Sequence, residues 1–356
     1  MWFTLDDKPQ TRAKLRILAD YLRPWSQIIR SHFNTAYYVD GFAGAGAYRY
    51  GGVEVVGSPG IAAKVGESAA EEARAKGRAF ELRCRLVEAD PATCESLRRA
   101  TAGWGHGRIE VLCEPFAEAI EGILKEIAQE RRGQRVAAFF FVDPFGLNVP
   151  LEVAQRIVRL PNTECLLNLC VPGIRRVAGV VQSGPRSEEA ARRLEATLAT
   201  VYGDDSWRRA WPRRTAAERE TALVEAYRRK LPARYVTAHP VLRSPYHHLM
   251  YYLIHAANNP TGAGIMGDLF TREETAGTLF APADVGDLRS RVLERFRGKT
   301  VRKPDILAAM GERTDTRLRR PLGELLVDGF AAAPTWGLDE NEVYTFFPKR
   351  VTGHRR

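Results

Sequence analysis

The chain has 356 residues, 45% of them hydrophobic and 27% charged, enough for one large α/β domain and a smaller one. No run approaches the roughly 18 apolar residues of a membrane helix. The start, MWFTLDDKPQ, lacks the basic-then-apolar pattern of a signal peptide, so a cytoplasmic protein with no membrane segment is expected. The net charge of +10 is uneven: residues 173–234 hold 14 Lys/Arg against 8 Asp/Glu, and residues 283–356 hold 15 against 11. Such asymmetry points to a polyanionic partner, RNA or DNA, although a solvated arginine-rich surface would look the same. The five cysteines (Cys84, Cys94, Cys113, Cys165, Cys170) are scattered and form no C-x-x-C pair. Reduced, mostly buried thiols are therefore expected, with no disulfide framework and no metal site. Cys170 lacks the preceding proline of a pyrimidine-methylating nucleophile, and LLNLC reads as the end of a core strand.

In chain order, Leu15, Leu18, Leu22, Trp25 and Ile29 repeat at helical spacing, with Pro24 as a kink or break. Strands and helices then alternate. AYYVD is a strand and SPGIAAKVGESAAEEARAK a helix, with Ser58 as its N-cap and Pro59 at its first position. LRCRLVEAD, GRIEVLC, VAAFFFVDP and TECLLNLC are further strands, separated by amphipathic helices. Near-continuous apolar strands between such helices make a parallel sheet covered on both faces. The alternation breaks at Pro172. Residues 186–231 read as helical, with Thr215 and Glu218 as a capping box. RYVTAHPVLR and YHHLMYYLIHAAN follow as two strands joined by Ser-Pro, a connection short enough for an antiparallel pair. Residues 257–283 are rich in Gly, Pro and Thr and read as a linker or loop. Three short helices and a two-stranded ribbon close the chain, the plan of a winged helix over 283–356.

The densest glycine cluster, in YYVDGFAGAGAY, follows Asp40 at the end of the first strand. Glycines there let the backbone run flush against a ligand at the carboxyl edge of the sheet. A dinucleotide fingerprint is disfavoured: Arg49 stands where its third glycine belongs, and the acid closing the second strand, Glu88, comes 48 residues after Asp40 instead of about 20. DGFAGAG instead resembles motif I of S-adenosylmethionine (SAM) methyltransferases. For a cationic ligand an acid at the strand end can take the ammonium directly or through water, and Glu88 in LVEAD can accept both ribose hydroxyls. FFFVDPFG ends the fourth strand with Asp143, Pro144 and Phe145 and resembles the D-P-P-Y/F motif of amino-group methyltransferases. In that motif the acid and the proline carbonyl accept hydrogen bonds from the target NH₂ and the aromatic stacks on its ring. One proline is missing here, so Phe145 either stacks on a base or packs beneath the site.

TRAKLRILADYLRPW, YYVDGFAGAGAY, GSPGIAAKV, VEADPATCESL, FFFVDPFG and YYLIHAANNP together resemble the three-Cys-motif partner proteins (TcmP) over roughly residues 8–270. The resemblance implies a Rossmann-like class I methyltransferase, with a seven-stranded, mostly parallel sheet ending in an antiparallel hairpin. The residues themselves read as one domain over 1–282, including a basic helical insertion at 173–232, and most of that span carries the resemblance. The resemblance also implies SAM as cofactor and a three-Cys-motif protein as a possible partner. On this reading Asp40, Gly41, Phe42, Ala43 and Gly44 hold the methionine moiety with Ser58 beside them. Glu88 holds the ribose, Phe116 or its neighbours the adenine, and Asp143 lines the cofactor site as well as orienting or deprotonating the acceptor, with Pro144 and Phe145 beside it.

Lys14 and Tyr21, seven residues apart on the first helix, are either a lid over the site or part of a packing helix with solvated charges. His247 and His248 read as structural. In the closing domain Arg317, Arg319 and Arg320 open the third helix, with Thr314 or Asp315 as cap, while Lys299, Arg302 and Lys303 precede the second. Leu318, Leu322, Leu325 and Leu326 would face that domain's own core, leaving the arginines outward. Three functions fit: a nucleic-acid methyltransferase with RNA favoured, a small-molecule or peptide methyltransferase, and a non-catalytic SAM-binding or winged-helix regulator.

Overall fold

The structure, a computed structural model, describes residues 4–6, 9–104, 109–184, 187–213, 215–243, 248–276, 283–310 and 318–351. Helix α1 (Pro9–His32) leads into β1 (Thr35–Asp40), a hairpin of β2 (Ala47–Tyr50) and β3 (Val53–Val56), and α2 (Ser58–Ala75). Next come β4 (Glu81–Val87), α3 (Pro91–Thr101), β5 (Ile109–Leu112), α4 (Phe116–Glu130), β6 (Val136–Val142), α5 (Leu151–Arg159) and β7 (Thr163–Leu169). Helices α6 (Val171–Ser183), α7 (Glu188–Tyr202) and α8 (Ala216–Arg228) precede β8 (Tyr235–Arg243) and β9 (His248–Ala257).

The main sheet has the order β5-β4-β1-β6-β7-β9-β8. Only β9 runs against the others, pairing antiparallel with both β7 and β8. The chain moves outward from β1 through β4 to β5, then crosses back to β6, so the order reverses beside β1. Ligands of open α/β sheets bind at such a switch point, outside the carboxyl ends of the strands. All six residues of β1 and all seven of β6 are buried, because both faces are covered. Tyr38, Phe139, Phe141, Leu166 and Leu253 join one core under α1 and α2. Tyr37, Val39, Phe140, Leu167 and Ile254 join the other, with the large side chains Tyr202, Trp207 and Tyr227 of the helical insertion.

Two segments differ from expectation. Residues 47–56 form the β2–β3 hairpin, turned by Gly51 and Gly52, both at positive φ (55° and 85°). The expected linker is the helix α9 (Pro260–Ala276); residues 277–282 lie outside the described residues. Its glycines disfavour a helix, but Met266 and Phe270 bury their side chains. Gly262 is also needed for contact, since a Cβ there would lie 2.6 Å from the Glu164 carboxylate.

The C-terminal part holds α10 (Ala283–Phe296), β10 (Thr300–Arg302), α11 (Lys303–Met310), α12 (Arg319–Asp328), β11 (Ala331–Ala332) and β12 (Val343–Phe346). Its three strands form an antiparallel sheet of order β10-β12-β11. Leu318, Leu322, Leu325 and Leu326 are buried, and their core is continuous with that of α1 and α2. A second flank of α12 is covered as well. The buried Arg16 of α1 donates to the carbonyls of Trp336 (2.7 Å) and Arg319 (3.0 Å), and a Cβ on Gly323 would lie 2.8 Å from its Nε. Arg12 Nε donates to Val327 O at 2.9 Å, Tyr50 Oη to Leu326 O at 2.9 Å, and Trp336 Nε1 to Val56 O at 2.9 Å. Thus α1 and the hairpin pack against this flank of α12, along Gly323 and the Leu326 and Val327 carbonyls, while Arg319 remains exposed as expected. Arg320 pairs with Glu324 at 3.0 Å, and Lys303 is buried with its ammonium on Gly337 O at 3.1 Å, so Lys303 is not placed to reach a phosphate. Glu312, Thr314, Asp315 and Arg317 lie outside the described residues.

Cys94 on α3 and the exposed Cys113 after β5 form a disulfide with Cα atoms 5.8 Å apart, contrary to the expectation of reduced thiols. The α3 crossover between adjacent strands β4 and β5 brings the two together, and no local motif announces it. Cys84 and Cys165 are buried thiols, and burial pushes each up to about 12. Among the described residues no helix is long and apolar enough to cross a membrane.

Candidate functional site

Three strand ends build the site. In register, Asp40 of β1 lies beside Leu86 of β4 and Phe141 of β6. The chain then turns across both neighbours: Gly41 N donates to Phe141 O at 2.9 Å and Ala43 N to Val87 O at 2.8 Å. Gly44 and Gly46 take φ of 63° and 80°, a region that disfavours any side chain. At Gly41 the constraint is space, since a Cβ would lie 3.0 Å from the Phe116 ring. That ring, buried at the start of α4, packs 5.6 Å from Phe42 and walls one side of the loop.

Glu88 follows β4 and is half-buried. Its Oε2 accepts from Gly44 N at 3.0 Å and its Oε1 from Asp90 N at 2.9 Å. The two amides fix the carboxylate plane and leave each oxygen a further lone pair. Asp40 is fully buried beneath the loop, where it accepts from Tyr38 Oη (3.1 Å), Phe42 N (3.2 Å) and the Ser58 hydroxyl. Burial outweighs these bonds and raises its acid to about 7, with the negative Asp143 adding to the rise. Ser58 is not the cap of α2, a place taken by Gly57; its hydroxyl serves Asp40 instead.

Tyr48, on β2, is a site residue that the sequence reading did not assign. A Cβ on Gly44 or on Gly57 would lie 2.7 Å from its ring or hydroxyl, so these two glycines make room for it. Burial, then the charges of Asp40, Asp143 and Glu88, push its phenol above the ordinary range, so it stays a neutral donor among three carboxylates. The signal was present in YRYGGVEVV, two alternating runs around Gly-Gly that fold a strand back over the glycine loop.

Asp143 follows β6 on the side facing α1. Lys14, only 6% exposed, forms an ion pair with its Oδ2, and Asn168 Nδ2 of β7 donates to its Oδ1 at 2.7 Å. The Lys14 ammonium also lies 5.0 Å from the Tyr251 ring centre. Neither expectation for α1 describes this: Lys14 is part of the site wall. Asn168 Oδ1 is buried without a hydrogen-bond partner. Tyr21, two turns along, lies at the other edge of the sheet, where its hydroxyl and His255 Nε2 (3.2 Å) meet the buried Glu164. Pro144 is buried, whereas Phe145 is 86% exposed, a ring on the rim and not beneath the site. His247 lies outside the described residues and His248 opens β9.

The reversal beside β1, the glycine loop across it and the antiparallel β9 together make this the Rossmann-like class I methyltransferase sheet. Neither a protein-family model nor a curated protein sequence matches the chain significantly. Among solved structures, a putative O-methyltransferase from Klebsiella pneumoniae is similar, with a TM-score of 0.34 and 13% identity over 68% of this chain and 80% of that one. The O-methyltransferase TomG from Streptomyces achromogenes, in complex with SAM, has a TM-score of 0.33 and 13% identity over 68% and 79%. Protein LPL1258 from Legionella pneumophila has a TM-score of 0.38 and 12% identity over 79% and 94%. These likenesses are weak, and the fold assignment rests on the sheet itself.

Proposed function

We propose that the chain is a SAM-dependent methyltransferase acting on an amino nitrogen of a planar ring, carried by a nucleic acid with RNA favoured over DNA. One observation carries the cofactor reading. Asp40, Glu88 and Asp143 end three adjacent strands, and Lys14 answers only Asp143. Among the described residues Asp40 and Glu88 have neutral partners alone. A cradle with surplus negative charge suits a ligand bearing an ammonium and a sulfonium. Glu88 would take the ribose hydroxyls, Phe116 would wall the adenine, and the loop from Gly41 to Gly44 would follow the methionine moiety. Buried beneath that loop, Asp40 acts through its charge and not by contact.

SAM supplies a methyl group on a positively charged sulfur, so the protein's task is to hold an acceptor lone pair in line with the carbon–sulfur bond. Asp143 and Asn168 Oδ1 accept hydrogen bonds from the acceptor N–H groups. The Asp143 oxygens are already shared between Lys14 and Asn168, which suits orientation better than proton abstraction. Phe145 offers an exposed face to a planar ring. The likeness to three-Cys-motif partner proteins rests on the motif residues alone.

A small-molecule or peptide acceptor is the second reading, favoured by the burial of Lys303 and the pairing of Arg320 with Glu324, which take these two out of a nucleic-acid interface and leave Lys299, Arg302 and Arg319 exposed. Incubation with methyl-labelled SAM and fractionated cell extract separates the readings: label in RNA supports the first, and label in small molecules or peptides the second. No label in any fraction, with folded protein, removes the enzyme reading.

Asp40 gives a pH dependence. Its folded value lies above the ordinary 3.8, so the neutral acid contributes stability that is fully present below that value and lost as the pH rises through about 7. A cation above it prefers the ionised form. SAM affinity by titration calorimetry is therefore expected to tighten several-fold from about pH 6 to about pH 8, and Asp40→Asn to flatten the profile. A wild-type profile already flat would separate Asp40 from the cofactor.

A further inference from the structure

A second site, basic where the first is acidic, lies at the opposite edge of the sheet. The start of β8, the end of α8 and the start of α9 enclose an open cleft of about 690 Å³, lined by Arg228, Arg229, Arg234, Tyr235, Thr237 and Gly264 among others. Among the described residues, none that line it is acidic. One carboxylate outside the lining, Glu225, answers both Arg228 (3.0 Å) and Arg229 (3.7 Å). Arg234 is exposed and sits 5.5 Å from the Tyr235 ring centre.

The strand that presents these groups is held at several points. Arg234 N donates to Asn258 Oδ1 at 2.8 Å, Gln155 Nε2 to Lys230 O at 2.9 Å, and Arg228 Nη1 to Val236 O at 2.9 Å. On the α9 side the wall is bare: a Cβ at Gly264 would meet nothing within 4 Å. Thr237, also in the lining, has a buried hydroxyl without a hydrogen-bond partner among the described residues.

We propose that this cleft binds phosphate groups, from a nucleotide or from the backbone of a nucleic-acid strand. Guanidinium groups in excess of carboxylates match phosphate oxygens bidentately. The start of α9 adds a favourable dipole, and the volume is within the range of nucleotide-sized pockets. Tyr235 pairs with Ala257 and Ala257 with Glu164, whereas Asn168 lies near the other end of β7. At about 3.3 Å per residue the cleft is on the order of 15–20 Å from Asp143. It is therefore an anchoring site, separate from methyl transfer, and it stands whether or not the SAM reading holds.

The test measures binding of a short fluorescein-labelled oligoribonucleotide, and of ATP, to the full chain across a salt series. Arg229→Gln with Arg234→Gln spares the structural contact of Arg228. Arg192→Gln with Arg193→Gln, exposed on α7, controls for net charge. Expected is a loss of at least about tenfold for one or both probes in the cleft variant only, with the oligonucleotide's salt slope falling by about two. Loss for the oligonucleotide alone identifies a strand, and loss for both a nucleotide-sized phosphate site. Equal loss in the two variants, or no binding of either probe to the wild type, overturns the proposal.

Discussion

Asp143→Ala is expected to lower methyl transfer by at least about a hundredfold while leaving S-adenosylhomocysteine affinity within about twofold. On the proposed reading Asp143 faces the acceptor, and its hydrogen-bond and ion-pair partners are Lys14 and Asn168, whereas the glycine-loop amides of Phe42 and Gly44 bond to Asp40 and Glu88. Removing it also strands the buried Lys14 ammonium. Breaking a buried pair from one side costs about 3–5 kcal/mol of stability, so the variant should melt earlier. Asp143→Asn keeps the shape and a hydrogen-bonding group, and Lys14→Met removes the other partner. Single-turnover rates and thermal melts on all three variants separate the effects. If turnover and cofactor affinity fall together in Asp143→Asn, the residue is a cofactor ligand and the acceptor role is wrong.

Glu88→Ala is expected to weaken S-adenosylhomocysteine by about 1.5–3 kcal/mol, roughly ten- to a hundredfold, since it deletes charge-assisted hydrogen bonds. The loss also frees the Gly44 and Asp90 amides that this carboxylate holds, so the glycine loop should become more mobile. Hydrogen exchange at Gly44 reports that second effect directly. Glu88→Gln, which keeps one acceptor oxygen, should fall between wild type and alanine. Wild-type affinity in the alanine variant would remove Glu88 from the site.

Asp40, Glu88 and Asp143 were legible in the sequence because each closes a buried apolar strand, where an acid has no packing role. The sheet was legible for the same reason: VAAFFFV cannot sit on a half-exposed surface. What escaped depended on contacts distant in sequence. Lys14 looks like any lysine on an amphipathic helix until α1 is laid across β6. The packing of α1 along one flank of α12 follows from Arg16 and Gly323, residues at opposite ends of the chain. The α9 helix was hidden by its glycines, whose helical cost is outweighed by burial of Met266 and Phe270. Tyr48 was in view beside the glycines, but its direction depended on recognising the Gly51-Gly52 hairpin. The Cys94–Cys113 pair depended on two strands becoming neighbours.

The central claim is that a cationic nucleoside ligand lies across the carboxyl edge of β1, β4 and β6. Titration calorimetry of SAM into the full chain, beside S-adenosylhomocysteine as the counterpart without the sulfonium charge and with NAD as competitor, tests it most directly. The account predicts saturable binding at one site per chain, weakened by Glu88→Ala and unaffected by NAD. Absence of binding to folded protein, or binding that NAD displaces and Glu88→Ala leaves intact, would contradict it.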